Sequence, residues 1–191
     1  MPRVIEILIE EHRNIKTLLH VLEQELKLFD QADQPDYQIF RAVIEYFQAY
    51  PENYHHPKED VVYKKLELRD PAIAKRIGDA EAEHEVETNR LREFAQAVED
   101  ILGGRELPRQ AFHNVVHEFI EHQRQHMDKE ERLLFPAAVE SLRPEDWADI
   151  DARLNDQKDP LFNGAIETKF HALERTILRW ERETETNRIQ N

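Results

Sequence analysis

The sequence of 191 residues contains no cysteine, and this absence excludes several kinds of site at once. Without thiolates there is no disulfide framework, no cysteine zinc finger, no thiolate-held iron–sulfur cluster and no thiol nucleophile. Glycine is scarce, at 4 residues, and alternating β-branched runs are missing, which argues against strands. Any metal must therefore be bound by histidine and carboxylate side chains on a helical scaffold.

Basic residues and long apolar runs are also in short supply. The chain has 26 Lys and Arg against 40 Asp and Glu, a formal charge of −14, whereas nucleic-acid binding needs clustered cations. No segment approaches the roughly 18 apolar residues of a membrane span, and the acidic, amphipathic residues 1–8 differ from a signal peptide. We therefore expect a cytoplasmic protein without nucleic-acid or membrane partners.

Apolar residues recur every three or four positions over long stretches, which is typical of amphipathic helices. With breaks placed at proline, glycine and asparagine clusters, the predicted helices span 3–30, 36–68, 71–102 and 108–141, followed by shorter ones near 144–154 and 161–182. Short connections make neighbours antiparallel, so we expect an all-α, up-down-up-down four-helix bundle over residues 1–142. Residues 143–191 should form a C-terminal helical extension that packs on the bundle, with a polar tail at 183–191.

Histidines lie on the predicted buried faces of the long helices. At about 100° per residue, the apolar residues of the first helix fall within roughly 80° of His12, and those of the third within roughly 40° of His84. On the fourth helix, His122, His126 and Glu130 interrupt a row of apolar residues that continues to Leu133 and Ala137. His113 and His117 of that helix fall on its far side and should be solvated. The buried faces therefore carry polar groups that need partners.

The second predicted helix offers two adjacent histidines. His55 shares an arc with the apolar residues, and Glu59 sits at its edge, about 40° away. His56 and Asp60 point roughly 100° and 140° away from His55. The helical argument selects His55 with Glu59 as the inward pair, and His56 stays an additional candidate because Pro57 can kink the helix.

The polar residues repeat along the chain. Each half has a His on its first helix and His-x-x-x-Glu on its second, at His12, His55 and Glu59 and then at His84, His126 and Glu130. The two histidine positions are 43 residues apart in the first half and 42 in the second. Burying four imidazoles and two carboxylates without partners would cost several kcal/mol per group. Two such hairpins predict two metal ions side by side.

Imidazole and carboxylate ligands suit iron, manganese or zinc. Four imidazoles and two bridging carboxylates supply roughly eight donor positions, so two ions of about six-coordinate geometry would keep open positions for small ligands. We choose two iron ions because adjacent irons can exchange electrons with O₂, peroxide or NO, whereas zinc acts only as a Lewis acid. Zinc and manganese accept the same ligands and stay open at this point.

The ordered ligand set resembles the hemerythrin HHE cation-binding domain over about residues 5–140. The blocks YHHPKED at 54–60 and EERLLFP at 130–136 resemble the two signature stretches of that family. The resemblance implies a non-haem diiron centre with a carboxylate and an oxo or hydroxo bridge. In that centre the terminal ligands would be His12, His55, His84 and His126, and the bridges would be Glu59 and Glu130.

The sequence departs from the oxygen-carrying hemerythrins at one position. Those proteins place a second His one turn after the third-helix His, where this chain has Thr88. His122, one turn before His126, is a candidate to fill that position, and the departure weakens the case for reversible O₂ carriage. The wider family is associated with O₂ or NO sensing, iron handling and responses to oxidative or nitrosative stress. Whether the chain is an enzyme stays open.

Two other interpretations remain. A ferritin-like diiron protein would use Glu-x-x-His pairs, which occur at Glu52 with His55 and at Glu81 with His84. A metal-free helical interaction module would satisfy its core histidines with one another and with water. The C-terminal extension could cap the bundle or form a homodimer, and capping is favoured because a four-helix core has sides to cover.

Overall fold

The computed structural model describes residues 1–31, 33–154, 159–162, 170–171 and 173–179, and every regular element within them is helical. The α-helices are α1 (Arg3–Asp30), α2 (Tyr37–Ala49), α3 (His56–Arg69), α4 (Pro71–Ile77), α5 (Ala80–Leu102), α6 (Arg109–Lys129), α7 (Phe135–Ser141) and α8 (Pro144–Arg153). Two π-helical turns, Pro51–His55 and Glu130–Leu134, join α2 to α3 and α6 to α7. Residues 173–179 are also helical. The all-α prediction is confirmed for the described residues.

Three of the four long predicted helices are interrupted. The π-helical turns divide the segments predicted at 36–68 and 108–141. The segment predicted at 71–102 is divided at Gly78, whose φ of 108° favours glycine. Asp70 and Asp79 then cap α4 and α5 by accepting from the backbone N–H groups of Ile73 and Ala82.

The long helices enclose a first apolar cluster. Helix α1 contacts α2 and α6, and α5 contacts the same two helices. Most of the largest fully buried side chains of this cluster are aromatic rings from α2, α5 and α6, namely Phe40, Tyr46, Phe47, Phe94, Phe112 and Phe119. Their edge-to-face contacts, such as Phe47 with Phe119 at 5.1 Å between ring centroids, hold one end of the molecule together.

A second apolar cluster lies nearer the beginning of α1. It gathers side chains from α1, α3, α4, α7 and α8, including Leu8, Val62, Ala74, Phe135 and Ile150. Along α1 the second cluster ends at Leu8 and the first begins at Ile15. The segment between them contains His12. Along the other long segments His55, Glu59, His84 and Glu130 also lie between residues of the two clusters, and His126 directly precedes Met127 of the first cluster. The fold therefore places these polar residues between two apolar layers.

Residues from the C-terminal part of the chain pack on the first cluster. Leu161, Phe170 and Leu173 are buried there together with the helices that precede them. Asp159 is buried, accepts a hydrogen bond of 2.8 Å from the Tyr46 hydroxyl, and caps the turn that follows it. The boundary at residue 142 and the choice between capping and dimerisation stay predictions, and the predicted polar tail at 183–191 lies outside the described residues. Within the described ranges, no helix has both the length and the apolar character of a membrane span.

Candidate metal centre

The six predicted ligands converge between the two apolar clusters. Their exposed fractions are at most 8%, for His12, His55, Glu59, His84, His126 and Glu130. They come from α1, the first π-helical turn, α3, α5, α6 and the second π-helical turn, so no ligand depends on a loop. This arrangement is a preformed cluster of imidazoles and carboxylates in the protein interior.

Glu59 presents its two oxygens to different halves of the chain. Its Oε1 lies 2.9 Å from His55 Nε2 and 3.3 Å from His12 Nε2. Its Oε2 lies 3.4 Å from Nε2 of His84, in the second half. The carboxylate therefore stands between two sets of imidazole nitrogens.

Glu130 has the same relation to the two halves. Its Oε2 lies 3.3 Å from His12 Nε2, and its Oε1 lies 3.4 Å from His126 Nε2. Neither oxygen has a hydrogen-bond partner among the described residues. Both glutamates thus offer one oxygen to each hairpin, as the internal repeat in the sequence predicts.

His56 also belongs to the cluster, and the prediction that it points away is wrong. It is 8% exposed, and its ring stacks on that of His84 with 4.3 Å between centroids. One possible ion-binding group is His12, His55 and Glu59, and a second is His56, Glu59, His84 and His126, with ligand atoms within 4.8 Å of one another in each. The π-helical turn before α3 changes the helical phase, so angles extrapolated at 100° per residue fail there.

The second π-helical turn shifts the core face of the following segment. The sequence pattern predicts Leu133 and Ala137 on the inner stripe, but Leu133 is 50% exposed. Leu134, Phe135 and Ala138 are buried instead, one residue later in the chain. A widened turn carries an extra residue, so the apolar side chains after it face inward at shifted positions.

His122 does not join either group of candidate ligands. It is half-buried, and its Nε2 has no hydrogen-bond partner among the described residues. Burial lowers the pKa of this imidazole, which keeps it neutral at pH 7. His113, predicted to be solvated, lies on the surface and contacts Asp30 with 3.0 Å between Nδ1 and Oδ1.

A carboxylate lies behind each of the four principal imidazoles. The pairs, measured from Nδ1, are His12 with Glu131 at 2.9 Å, His55 with Glu11 at 2.7 Å, His84 with Asp60 at 3.2 Å and His126 with Glu83 at 3.4 Å. Such outer carboxylates orient a metal-binding imidazole and hold the proton on its rear nitrogen. Three of these contacts are hydrogen bonds, at His12, His55 and His126, and they leave Nε2 of each residue to face the centre. The contact between His84 and Asp60 is not aligned as a hydrogen bond, and Nε2 of His84 faces Glu59.

Two of these outer carboxylates are held by lysines at equivalent positions. Lys58, three residues after His55, donates to Glu11 with a distance of 2.6 Å, and the Tyr50 hydroxyl donates to the same carboxylate at 2.8 Å. Lys129, three residues after a histidine in the second half, donates to Glu83. The sequence does hint at these two outer carboxylates, since a glutamate directly precedes the first histidine of each half. The imidazole that each glutamate contacts lies on another helix and could not be identified from one helix alone.

Charges around the histidines shift their proton affinity. Burial alone would lower the pKa of His55, but the negative charge of Glu59 and the hydrogen bond to Glu11 raise it to about 9. Burial likewise opposes protonation of His84, and Asp60 together with Glu59 raises its pKa to about 10. In the absence of a metal, these two imidazoles are protonated at pH 7.

The two central carboxylates differ in proton affinity. Burial disfavours the charged form of Glu59, yet the neighbouring imidazoles of His55, His12 and His84 lower its pKa well below the usual range. Burial and the negative charge of Glu59 raise the pKa of Glu130 well above its ordinary value. Two buried carboxylates side by side cannot both be charged at low cost unless cations lie between them.

Unpartnered atoms test whether a metal fits this site. Buried atoms without a hydrogen bond among the described residues include Glu59 Oε2, His84 Nε2, His126 Nε2 and both oxygens of Glu87 and Glu130. Leaving a buried polar group unpartnered is costly, and most native proteins contain few of them. These atoms converge, and nitrogen and oxygen donors without sulfur suit iron, manganese and zinc. The residues therefore fit metal ions.

The ferritin-like interpretation is wrong for this chain. It requires the carboxylate of Glu81 to face inward beside His84. Glu81 is 62% exposed and pairs with Lys64 on the surface, at 2.5 Å between Nζ and Oε1. The i, i+3 spacing in the sequence matched, but the two side chains point to different faces of α5.

Comparison with known proteins gives one family match. The model of the family described as Hemerythrin HHE cation binding domain matches residues 3–138, which is more than half of the chain and includes every residue of the two possible ion-binding groups. No curated protein and no solved structure matches the chain. The matched range ends inside α7, before α8 and the described residues that follow it.

Proposed function

Since this chain belongs to the hemerythrin HHE cation-binding domain family, we propose that it is a non-haem diiron protein that binds or reacts with O₂, NO or peroxide. The main support is the placement of Glu59 and Glu130, because each carboxylate has one oxygen near a histidine of the first half and the other near a histidine of the second half. In this proposal α1, α2 with α3, α5 and α6 form an up-down-up-down four-helix bundle around the centre. The cellular role would lie in sensing, iron handling or the response to oxidative or nitrosative stress.

The ligands divide into two sets. The first ion would be held by His12 and His55 and the second by His84 and His126, with Glu59 and Glu130 shared and His56 added on the second side. The two groups of donor atoms, which share Glu59, support the division of the imidazoles. Glu130 belongs to neither group, and its sharing is supported by its distances of 3.3 Å to His12 and 3.4 Å to His126. The second side is richer in imidazoles than the first, which distinguishes the ions chemically.

Two bound irons would supply electrons to, or accept them from, a small oxygen or nitrogen species. The protein contributes orientation and exclusion of water. The outer carboxylate Glu11 holds the proton on Nδ1 of His55, which leaves Nε2 free to donate its lone pair. Phe135 stacks on the ring of His12 with 5.5 Å between centroids and limits its rotation. The two apolar clusters keep bulk water from the centre, which strengthens electrostatic interactions inside it.

The experiment that tests this proposal is anaerobic reconstitution of the metal-free protein with Fe(II), followed by metal analysis and visible spectra before and after exposure to air. We expect two irons per chain and a new charge-transfer absorption after exposure. His126→Ala should lower the metal content, whereas His117→Ala, on the exposed face of the same helix, should leave it unchanged.

Contrary outcomes are well separated. One zinc with no response to air would refute the redox chemistry and leave a metal-stabilised protein. Absence of any bound metal would favour the metal-free interaction module. Equal loss of iron from the His126→Ala and His117→Ala variants would refute the assignment of His126 as a ligand.

A further inference from the structure

Glu87 is a buried carboxylate that the proposed ligand set does not include. It lies on α5, three residues after His84, and is 2% exposed. Its Oε2 is 3.1 Å from His56 Nε2, and its Oε1 is 3.9 Å from His126 Nδ1. Neither contact is aligned as a hydrogen bond, and both oxygens are unpartnered among the described residues.

Other buried carboxylates outside the ligand set have conventional partners. Glu11 accepts from Lys58, and Asp146 forms a bidentate pair with Arg69, with distances of 2.7 and 2.9 Å. Glu25 accepts from a backbone N–H group. Glu87 instead lies beside two imidazoles of the second ion-binding group, at Nε2 of His56 and on the Nδ1 side of His126. Burying such a carboxylate is unfavourable unless a cation or several donors compensate its charge.

We propose that Glu87 is a third carboxylate ligand of the metal centre, on the side of His56, His84 and His126. This inference rests on the proposed diiron function and concerns the identity of the second ion. With Glu59 and Glu130, three carboxylates offset most of the charge of two divalent cations. An added oxygen donor biases that ion toward iron and manganese, which accept carboxylates readily, over copper and nickel, which prefer imidazole.

Mn(II) is a suitable probe because its free form is measured directly by electron paramagnetic resonance. The metal-free full-length protein is titrated with Mn(II) as wild type, as Glu87→Gln and as Glu93→Gln, an exposed control on the same helix. We expect two Mn(II) ions per chain in the wild type and in the control. Glu87→Gln should retain one ion with unchanged affinity and weaken the other about 10- to 100-fold.

The thermal stability of the metal-free variants separates ligand loss from misfolding. Although burial disfavours its charged form, the imidazoles of His56 and His126 lower the pKa of Glu87 and so compensate its charge in the metal-free protein. Replacement by neutral Gln or by Leu should leave a protein that still unfolds in one cooperative transition without metal. The same replacements should reduce the increase in unfolding temperature that Mn(II) produces. Glu87→Leu provides a second neutral variant, so the comparison stands if either one folds.

The possible outcomes separate failure of the Glu87 inference from failure of the proposed function on which it rests. Wild-type protein that binds fewer than two ions overturns the proposed function and this inference together. Two ions in the wild type, with affinities within about twofold in Glu87→Gln and Glu87→Leu, overturn the inference alone. Glu87 would then serve only as the polar neighbour of His56.

Discussion

Two matched substitutions, Glu11→Gln and Glu83→Gln, test how the outer carboxylates act. Both residues precede the first histidine of their half, and both lie behind an imidazole of the other hairpin helix. Both also accept from a lysine at the equivalent position. The substitutions remove the same charge from equivalent places and differ chiefly in burial.

The difference in burial sets the expected magnitudes. The side chains of Glu11 and Lys58 are 7% and 6% exposed, whereas those of Glu83 and Lys129 are 32% and 29% exposed. Breaking a buried ion pair by neutralising one partner costs about 3–5 kcal/mol, and a partly exposed pair contributes about 0–1 kcal/mol. For a chain of this length, the larger loss lowers the unfolding temperature by roughly 6–20 °C.

Metal affinity should respond differently from stability. Both variants lose a carboxylate that orients a metal-binding imidazole, so each should bind one ion about 10- to 100-fold more weakly. Thermal unfolding of the metal-free proteins followed by circular dichroism measures the first effect, and titration with Co(II) followed by visible absorption measures the second. Equal losses of stability would refute the burial argument. Unchanged Co(II) affinity in both variants would refute the orienting role of the carboxylates.

Three further predictions follow from single features. Because the pKa values of His55 and His84 are raised, their protonation stabilises the metal-free fold fully below about pH 6.5, and this stability is lost as the pH rises through about 9 and 10. Urea unfolding across that pH range measures the effect, and a free energy of unfolding that does not change with pH would contradict it. Metal binding must displace these protons, so calorimetry in buffers of different ionisation enthalpy should detect proton release at pH 7. Leu134→Ala should cost about 2–5 kcal/mol and Leu133→Ala less than about 0.5 kcal/mol in denaturant unfolding, and the reverse order would contradict the shifted core face.

Much of the fold and part of the candidate site could be predicted from local patterns. Periodicity predicted helices and the inward direction of His12, His84 and His126, because each lies inside an α-helix and not after a π-helical turn. The repeated spacing predicted that the two His-x-x-x-Glu pairs serve one centre. The family match over residues 3–138 agrees with those patterns, and the assignment of individual ligands stays a prediction.

The remaining site residues depend on tertiary structure. His56 faces the centre because a π-helical turn alters the phase of α3, and no rule based on 100° per residue includes that turn. Glu11 meets His55 across two helices and 44 positions of sequence, so the contact exists only after the helices pack. Glu87 had no signal of its own, since one glutamate on an acidic helix is normally solvated.

The sequence by itself determined the helical class and the absence of thiol ligands, and its repeated His and Glu positions pointed to a paired centre, since these follow from residue type and local spacing. Tertiary structure alone decided that both adjacent histidines, His55 and His56, are buried at the centre. It also decided which acidic residues are buried, with Glu87 inside and Glu81 outside. The physical reason is that the burial of a side chain and its protonation state depend on neighbours from other helices, and the pattern along one helix carries no information about those neighbours.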